Sequence, residues 1–373
     1  MPGIGILGAT FGYVVAMDSP SSRPATQFQW GTTLWHEMAH VFTLEATGHL
    51  VPRWFSEGVS VFEEWTSGPN PGVRIPIPVL VAMKDDRFLP IADLDEGFLR
   101  PTYEEQVIVS YMQAGLVCRF IEQRFGAGKL AAMLAEFADG LGTSEAVQAA
   151  LGVTTNRFDE EFDAYLESRF GALLDDLDAW HGAQTRMLDA ADQGDWDTAI
   201  ETAREMLELM PGYVEPDSPY LVLAHAQEEA GDRDAALATL ETFWRQGGFE
   251  PDALKRLAGW LAEDGRRDDA IEVLRGVILV QPLDLELHGT LGDLLLDAGD
   301  VDAAIMEYRV ALAMEPHDKA TAHYRLARAH RAGGELEESR RELLLALDVA
   351  PHFRPAQRLL LELVRSEQDS DKQ

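Results

Sequence analysis

Apolar positions fall into helical periods over most of this chain and into a strand-like run only at its start. PGIGILGATFGYVVAM, residues 2–17, mixes apolar and β-branched residues with glycines and reads as strand. It begins abruptly, as if an upstream region were missing. TTLWHEMAHVFTL, residues 32–44, has the pattern of an amphipathic helix, and PRWFSEGVSVFEEW, residues 52–65, starts a second one. YEEQVIVSYMQAGLVCRFIEQRFG predicts a long helix stopped by Gly126, with Cys118 on its buried face.

Beyond these helices the chain repeats itself. GDWDTA, GDRDAA, GRRDDA, GDVDAA and GELEES begin at Gly194, Gly231, Gly265, Gly299 and Gly334, and Pro211, Pro282, Pro316 and Pro351 close four of the five units. A turn glycine, a small residue five positions on and a closing proline, at a period near 34 residues, resemble the tetratricopeptide repeat. One helical hairpin cannot bury its apolar face alone, but stacked hairpins can. Ala199, Ala236, Ala270, Ala304 and Ser339 then mark the closest helix contacts, and FRPAQRLLLELV after His352 reads as a capping helix. The resemblance implies a groove for an extended peptide or a partner's helix.

Composition narrows the partners. The chain has 373 residues, enough for about two domains, and 46% of them are hydrophobic. It carries 64 acidic against 31 basic residues, a formal charge of -33. Such a surface repels nucleic-acid phosphates and anionic lipid, so protein, peptide or cationic partners are expected and nucleic acid is not. One cysteine excludes an internal disulfide and any cysteine-based zinc knuckle. No run approaches the roughly 18 apolar residues of a membrane span, and the first twenty residues lack the basic start of a signal peptide. The expectation is a soluble chain, cytoplasmic as written and exported if its true start lies upstream.

The candidate chemistry lies in HEMAH. On a helix His36 and His40 project from one face a turn apart, so both imidazoles reach one ion, while Glu37 sits beside that face as a base rather than a ligand. A third ligand is required. The metzincin pattern needs a glycine at 43 and a histidine at 46, where this chain has Thr43 and Ala46.

PRWFSEG supplies the alternative. Trp54, Glu57 and Gly58 match the Trp-x-x-Glu-Gly segment of the gluzincins, and the chain resembles the peptidase MA-like group related to aminopeptidase N. That resemblance implies zinc held by His36, His40 and Glu57 with Glu37 as general base. The small Gly58 and Ser60 are expected to let this helix approach the first. Glu64, two turns beyond Glu57, is the expected acid behind a ligand histidine, favoured by helical phase over Glu63. SYMQAG resembles the family's Ser-Tyr-x-x-Gly element with one residue more before the glycine. Tyr111 is therefore the candidate oxyanion donor, with Tyr103 as alternate. In the aminopeptidases an acid on an upstream strand holds the substrate's free amine, whereas Gly3–Met17 contains no carboxylate.

The expected fold is mainly α: a truncated α+β gluzincin-like metallopeptidase domain over residues 1–175, an α-solenoid of about five repeats over 176–366 and a polar tail over 367–373. The expected function is zinc-dependent hydrolysis of peptide bonds inside a peptide or protein substrate, with the repeats binding substrate or a partner. Two alternatives stand beside it: a binding scaffold with a degenerate peptidase domain, and a hydrolase of non-peptide amides. The remaining histidines form no second cluster by spacing, although His323 and His330 share a helical face.

Overall fold

A computed structural model of the chain describes residues 7–22 and 29–370. Residues 2–6 of the expected strand and 371–373 of the expected tail lie outside them. The described residues are mainly α, with 18 helices and one two-stranded sheet. They form two compact units, Met1–Gly248 and Phe249–Gln373.

The first unit opens with a hairpin, β1 (Gly8–Phe11) and β2 (Val14–Met17), antiparallel with Gly8 opposite Met17 and Phe11 opposite Val14. Gly12 turns it at φ +58, a conformation that suits glycine. Strand alternation sends Gly8 and Thr10 to the face that meets α1 (Trp30–Ala46). Phe11 and Val14 are exposed.

Helix α2 (Arg53–Thr66) packs against both α1 and α5 (Gln106–Phe125), and between α2 and α5 run α3 (Ile77–Lys84) and the short α4 (Glu96–Leu99). Trp54 and Phe55 at its start are fully buried, and burying such side chains contributes about 1.5–3 kcal/mol each. Its first turn is fixed by Asp95, whose Oδ1 accepts from Trp54 N at 2.7 Å. The small residues divide their work differently from expectation. Ser60 is buried toward α1, its Oγ 3.4 Å from His40 Nδ1. Gly58 instead faces α5: a Cβ there would lie 2.7 Å from the Ala114 carbonyl oxygen and 2.9 Å from Cys118 Sγ. Gly115 of α5 answers it, with Val61 and Trp65 against the space a Cβ would need.

Helices α6 (Lys129–Ala138) and α7 (Thr143–Leu151) lead into α8 (Thr155–Asp192), 38 residues without a break. Phe158 and Phe162 in its first half pack their rings on Phe120 of α5. Trp180, Ala183 and Met187 are buried in its second half, where α8 pairs with α9 (Trp196–Leu209) as a helical hairpin. The boundary expected at 175/176 thus falls inside one helix. A second hairpin, α10 (Pro219–Glu229) and α11 (Arg233–Arg245), completes the unit.

The second unit stacks α12 (Pro251–Glu263) with α13 (Arg267–Ile278), α14 (Leu285–Ala298) with α15 (Val301–Ala313), and α16 (Lys319–Ala332) with α17 (Leu336–Val349). Helix α18 (Arg354–Ser370) closes it against α17 and takes in residues 367–370 of the expected tail. The repeated Gly-Asp pair explains the turns: Gly231 and Gly299 end helices at φ +77 and +86, and Asp232 and Asp300 cap the next ones by accepting from Ala235 N and Ala303 N. Ala199, Ala236, Ala270, Ala304 and Ser339 are all fully buried, as close helix contact requires.

Gly58→Ala should destabilise the chain by about 1–3 kcal/mol, because its methyl meets backbone that cannot yield. Gly212→Ala, with nothing within 4 Å of the added Cβ, should stay within about 0.5 kcal/mol of wild type. Urea unfolding of the two variants measures the difference.

Candidate metal centre

His36 and His40 sit four residues apart on α1, and the packing of α2 brings Glu57 to the same point. His40 Nε2 lies 3.1 Å from His36 Nε2 and 3.1 Å from Glu57 Oε2, and His36 Nε2 lies 3.3 Å from Glu57 Oε2. Together these three atoms are a group that could hold a metal ion. It is the one such group among the described residues.

The other ring nitrogens are turned away and engaged. His36 Nδ1 is 2.5 Å from Glu64 Oε1, and His40 Nδ1 is 2.8 Å from Ser56 Oγ. Ser56 Oγ in turn lies 2.7 Å from Thr43 Oγ1. These contacts set both rings so that their Nε2 atoms converge. Of the adjacent acids Glu63 and Glu64, it is Glu64 that reaches His36. Ser56 has no sequence signal beyond its place next to Glu57, and it was not foreseen.

Glu57 is 7% exposed and uses its two oxygens separately. Oε2 faces the imidazoles, while Oε1 accepts from Tyr111 Oη at 3.2 Å and from Arg53 Nε at 3.3 Å. Arg53 also lies over the Phe98 ring, and Phe98 meets Tyr111 edge to face. Tyr103 is placed elsewhere: its hydroxyl is buried without a partner and its ring lies under Arg87.

Electrostatics follow from this crowding. Burial opposes a charge on His36, yet hydrogen bonds to Glu57 and Glu64 outweigh it and push its pKa up to about 10. Burial likewise opposes charge on Glu57, and the two histidines overcome it, holding the carboxyl far below the usual carboxylate range. Burial first, and the Glu57 charge second, push the Tyr111 phenol up to about 12. The cluster therefore favours positive charge at its centre, and a cation bound there would replace the His36 proton.

Glu37 is buried at 6% exposure. Thr10 Oγ1 lies 2.6 Å from its Oε2, and Gly8 has the Glu37 carboxyl group where a Cβ would stand. Thr10 was not singled out by sequence as part of the site. Elsewhere, His288 pairs with Glu307, His323 with Glu342 and His330 with Glu335, so these three histidines staple helices to one another or to their turns. No helix among the described residues is long and apolar enough to cross a membrane.

Residues 23–168 match the family model of the Peptidase MA superfamily, and residues 221–288 and 289–365 match that of the tetratricopeptide repeat. Comparison with curated proteins gives no match. Solved structures similar to the chain include YrrB, described as a TPR protein with an unusual peptide-binding site, at 18% identity and TM-score 0.38, covering 46% of this chain and 87% of that one. MamA from Desulfovibrio magneticus RS-1 is similar at 22% identity and TM-score 0.36, covering 41% of this chain and 86% of that one. The chain therefore carries a Peptidase MA superfamily domain, residues 23–168, followed by tetratricopeptide repeats over residues 221–365.

Proposed function

We propose that this protein is a zinc-dependent peptidase that cleaves within peptide chains, and that its repeats bind the substrate or a partner protein. The observation that carries the reading is the triangle of His36 Nε2, His40 Nε2 and Glu57 Oε2. Ligand atoms about 2.0–2.1 Å from a tetrahedral zinc stand roughly 3.3 Å apart, and the three sides here are 3.1, 3.1 and 3.3 Å. Two imidazoles and a carboxylate, with both Nδ1 atoms held from behind, are the donor set of an open zinc site. Zinc bound there would supply a Lewis acid for the attacking water and the scissile carbonyl.

The remaining steps belong to the chain's own residues. Glu37 takes the proton of the attacking water and delivers it to the leaving amine. Tyr111 donates a hydrogen bond from its hydroxyl to the oxyanion that develops on the carbonyl oxygen, giving up its bond to Glu57 Oε1 to do so. Arg53 stays on Glu57 and keeps that carboxylate oriented. A base at position 37 has no use in a purely structural metal site, which argues against a repeat scaffold with a spent domain.

Substrate choice follows from an absence among the described residues. An aminopeptidase needs a fixed carboxylate for its substrate's ammonium group, because an unpaired charge in a partly buried cleft costs several kcal/mol. From Leu7 to Met17 the hairpin offers no acid, and Glu45, the acid of α1 nearest its turn, lies 3.8 Å from where a Gly12 Cβ would be. Internal cleavage is the consistent outcome.

About one zinc per chain is expected, with much weaker binding in His40→Ala and Glu57→Ala and a loss of about 10- to 100-fold in Ser56→Ala. Competition with a chromogenic chelator measures all three, and wild-type affinity in the first two removes the site. Glu37→Gln should keep zinc and fold yet lose roughly two or more orders of magnitude in turnover on an unstructured protein; unchanged turnover excludes Glu37 as the base. Acetylating the N-terminus of a peptide substrate should leave its cleavage rate nearly unchanged. Mass spectrometry showing stepwise trimming of the free peptide alone would make the enzyme an aminopeptidase instead.

A further inference from the structure

The hairpin that precedes the metal-type helix does more than cover it. Glu37 projects from α1 toward β1, and β1 meets its carboxyl group with two residues of one strand face. Gly8 gives it space: a Cβ at that position would stand 2.6 Å from Oε1 and 2.7 Å from Cγ. Thr10, two residues along on the same face, gives it a donor, with Oγ1 2.6 Å from Oε2 and 2.9 Å from the Glu37 carbonyl oxygen. Among the described residues Thr10 is the side chain that hydrogen-bonds this carboxylate.

A threonine hydroxyl has one proton and here faces two acceptors. The closer oxygen, Oε2, takes it, at 2.6 Å against 2.9 Å for the carbonyl. Thr10 is itself well fixed: its backbone is paired opposite Val15, and its β-branched side chain has few rotamers. A rigid donor therefore holds one oxygen of a carboxylate that would otherwise pivot about its own side-chain torsions.

We infer that Thr10 is a positioning residue for Glu37, holding the carboxylate where it can exchange a proton with the attacking water, and that Gly8 is the space this placement requires. The inference rests on the peptidase reading above. Misplacing a reacting group by about 1 Å can cost about 100-fold in rate, so the hydroxyl matters to turnover even though it touches no substrate.

The test uses the full chain loaded with zinc and an internally quenched peptide blocked at both ends. Thr10→Val, which keeps shape and removes the donor, should lower kcat about 10- to 100-fold with KM and zinc content unchanged. Thr10→Ser should restore most of the loss. In a Glu37→Gln background Thr10→Val should have no further effect on the residual rate. Gly8→Ala supplies a second variant, expected to lower kcat while zinc is retained. Full activity in Thr10→Val, equal impairment in Thr10→Val and Thr10→Ser, or an undiminished effect in the Glu37→Gln background each overturns the inference while leaving the peptidase reading intact. A wild-type chain that binds zinc and cleaves nothing, or a fully active Glu37→Gln, overturns both.

Discussion

The seating of α2 between α1 and α5 is the contact on which the candidate centre depends. Two glycines make it possible, Gly58 against the backbone of Ala114 and Gly115 against Val61 and Trp65. Trp54 and Phe55, both fully buried, lock the start of the helix in place. Glu57 lies between these apolar anchors and the small contacts, so its carboxylate has no freedom to leave the imidazoles. Packing that is this close fixes side chains to a few tenths of an ångström, which is what ligand geometry demands.

That precision carries an electrostatic burden. Glu57 and two imidazoles share a small, largely dry volume, and neither the carboxylate nor a proton on His36 is welcome there alone. The arrangement is tolerable because each charge has partners: Glu64 behind His36, and Arg53 and Tyr111 on the far oxygen of Glu57. Removing any one partner leaves the others buried and less well satisfied, so the polar network behaves as a unit. The same arrangement explains why a cation is a natural occupant, since His36 Nε2, His40 Nε2 and Glu57 Oε2 all turn toward one point.

What the sequence disclosed and what it withheld have physical causes. His36 and His40 are four apart on one helix, and Glu57 and Glu64 are seven apart on the next, so local geometry alone sets their directions. The repeats were equally plain, because a turn glycine, a capping aspartate and a small buried residue are all local requirements. Ser56 and Thr10 were not foreseen, because their contacts arise only when separate elements meet: Thr10 touches Glu37 from a strand 27 positions earlier. Gly58 was expected to admit α1 and instead admits α5, since small size shows that a helix approaches something but not which neighbour it meets. The boundary placed at 175/176 had no turn residue to support it, and the chain there continues as helix.

The unbroken run of α8 bears on how this chain can change over time. Domains joined by a flexible linker tolerate inserted or deleted residues between them, because the linker absorbs the difference. Here the peptidase-type core and the first hairpin share 38 residues of one helix. Each residue added or lost within it would rotate everything after it by about 100° and shift it by about 1.5 Å. The buried faces around Phe158 and around Trp180 could then not both find their partners. Length variation should be confined to the turns between hairpins, and this helix should keep its residue count while its exposed side chains are free to drift.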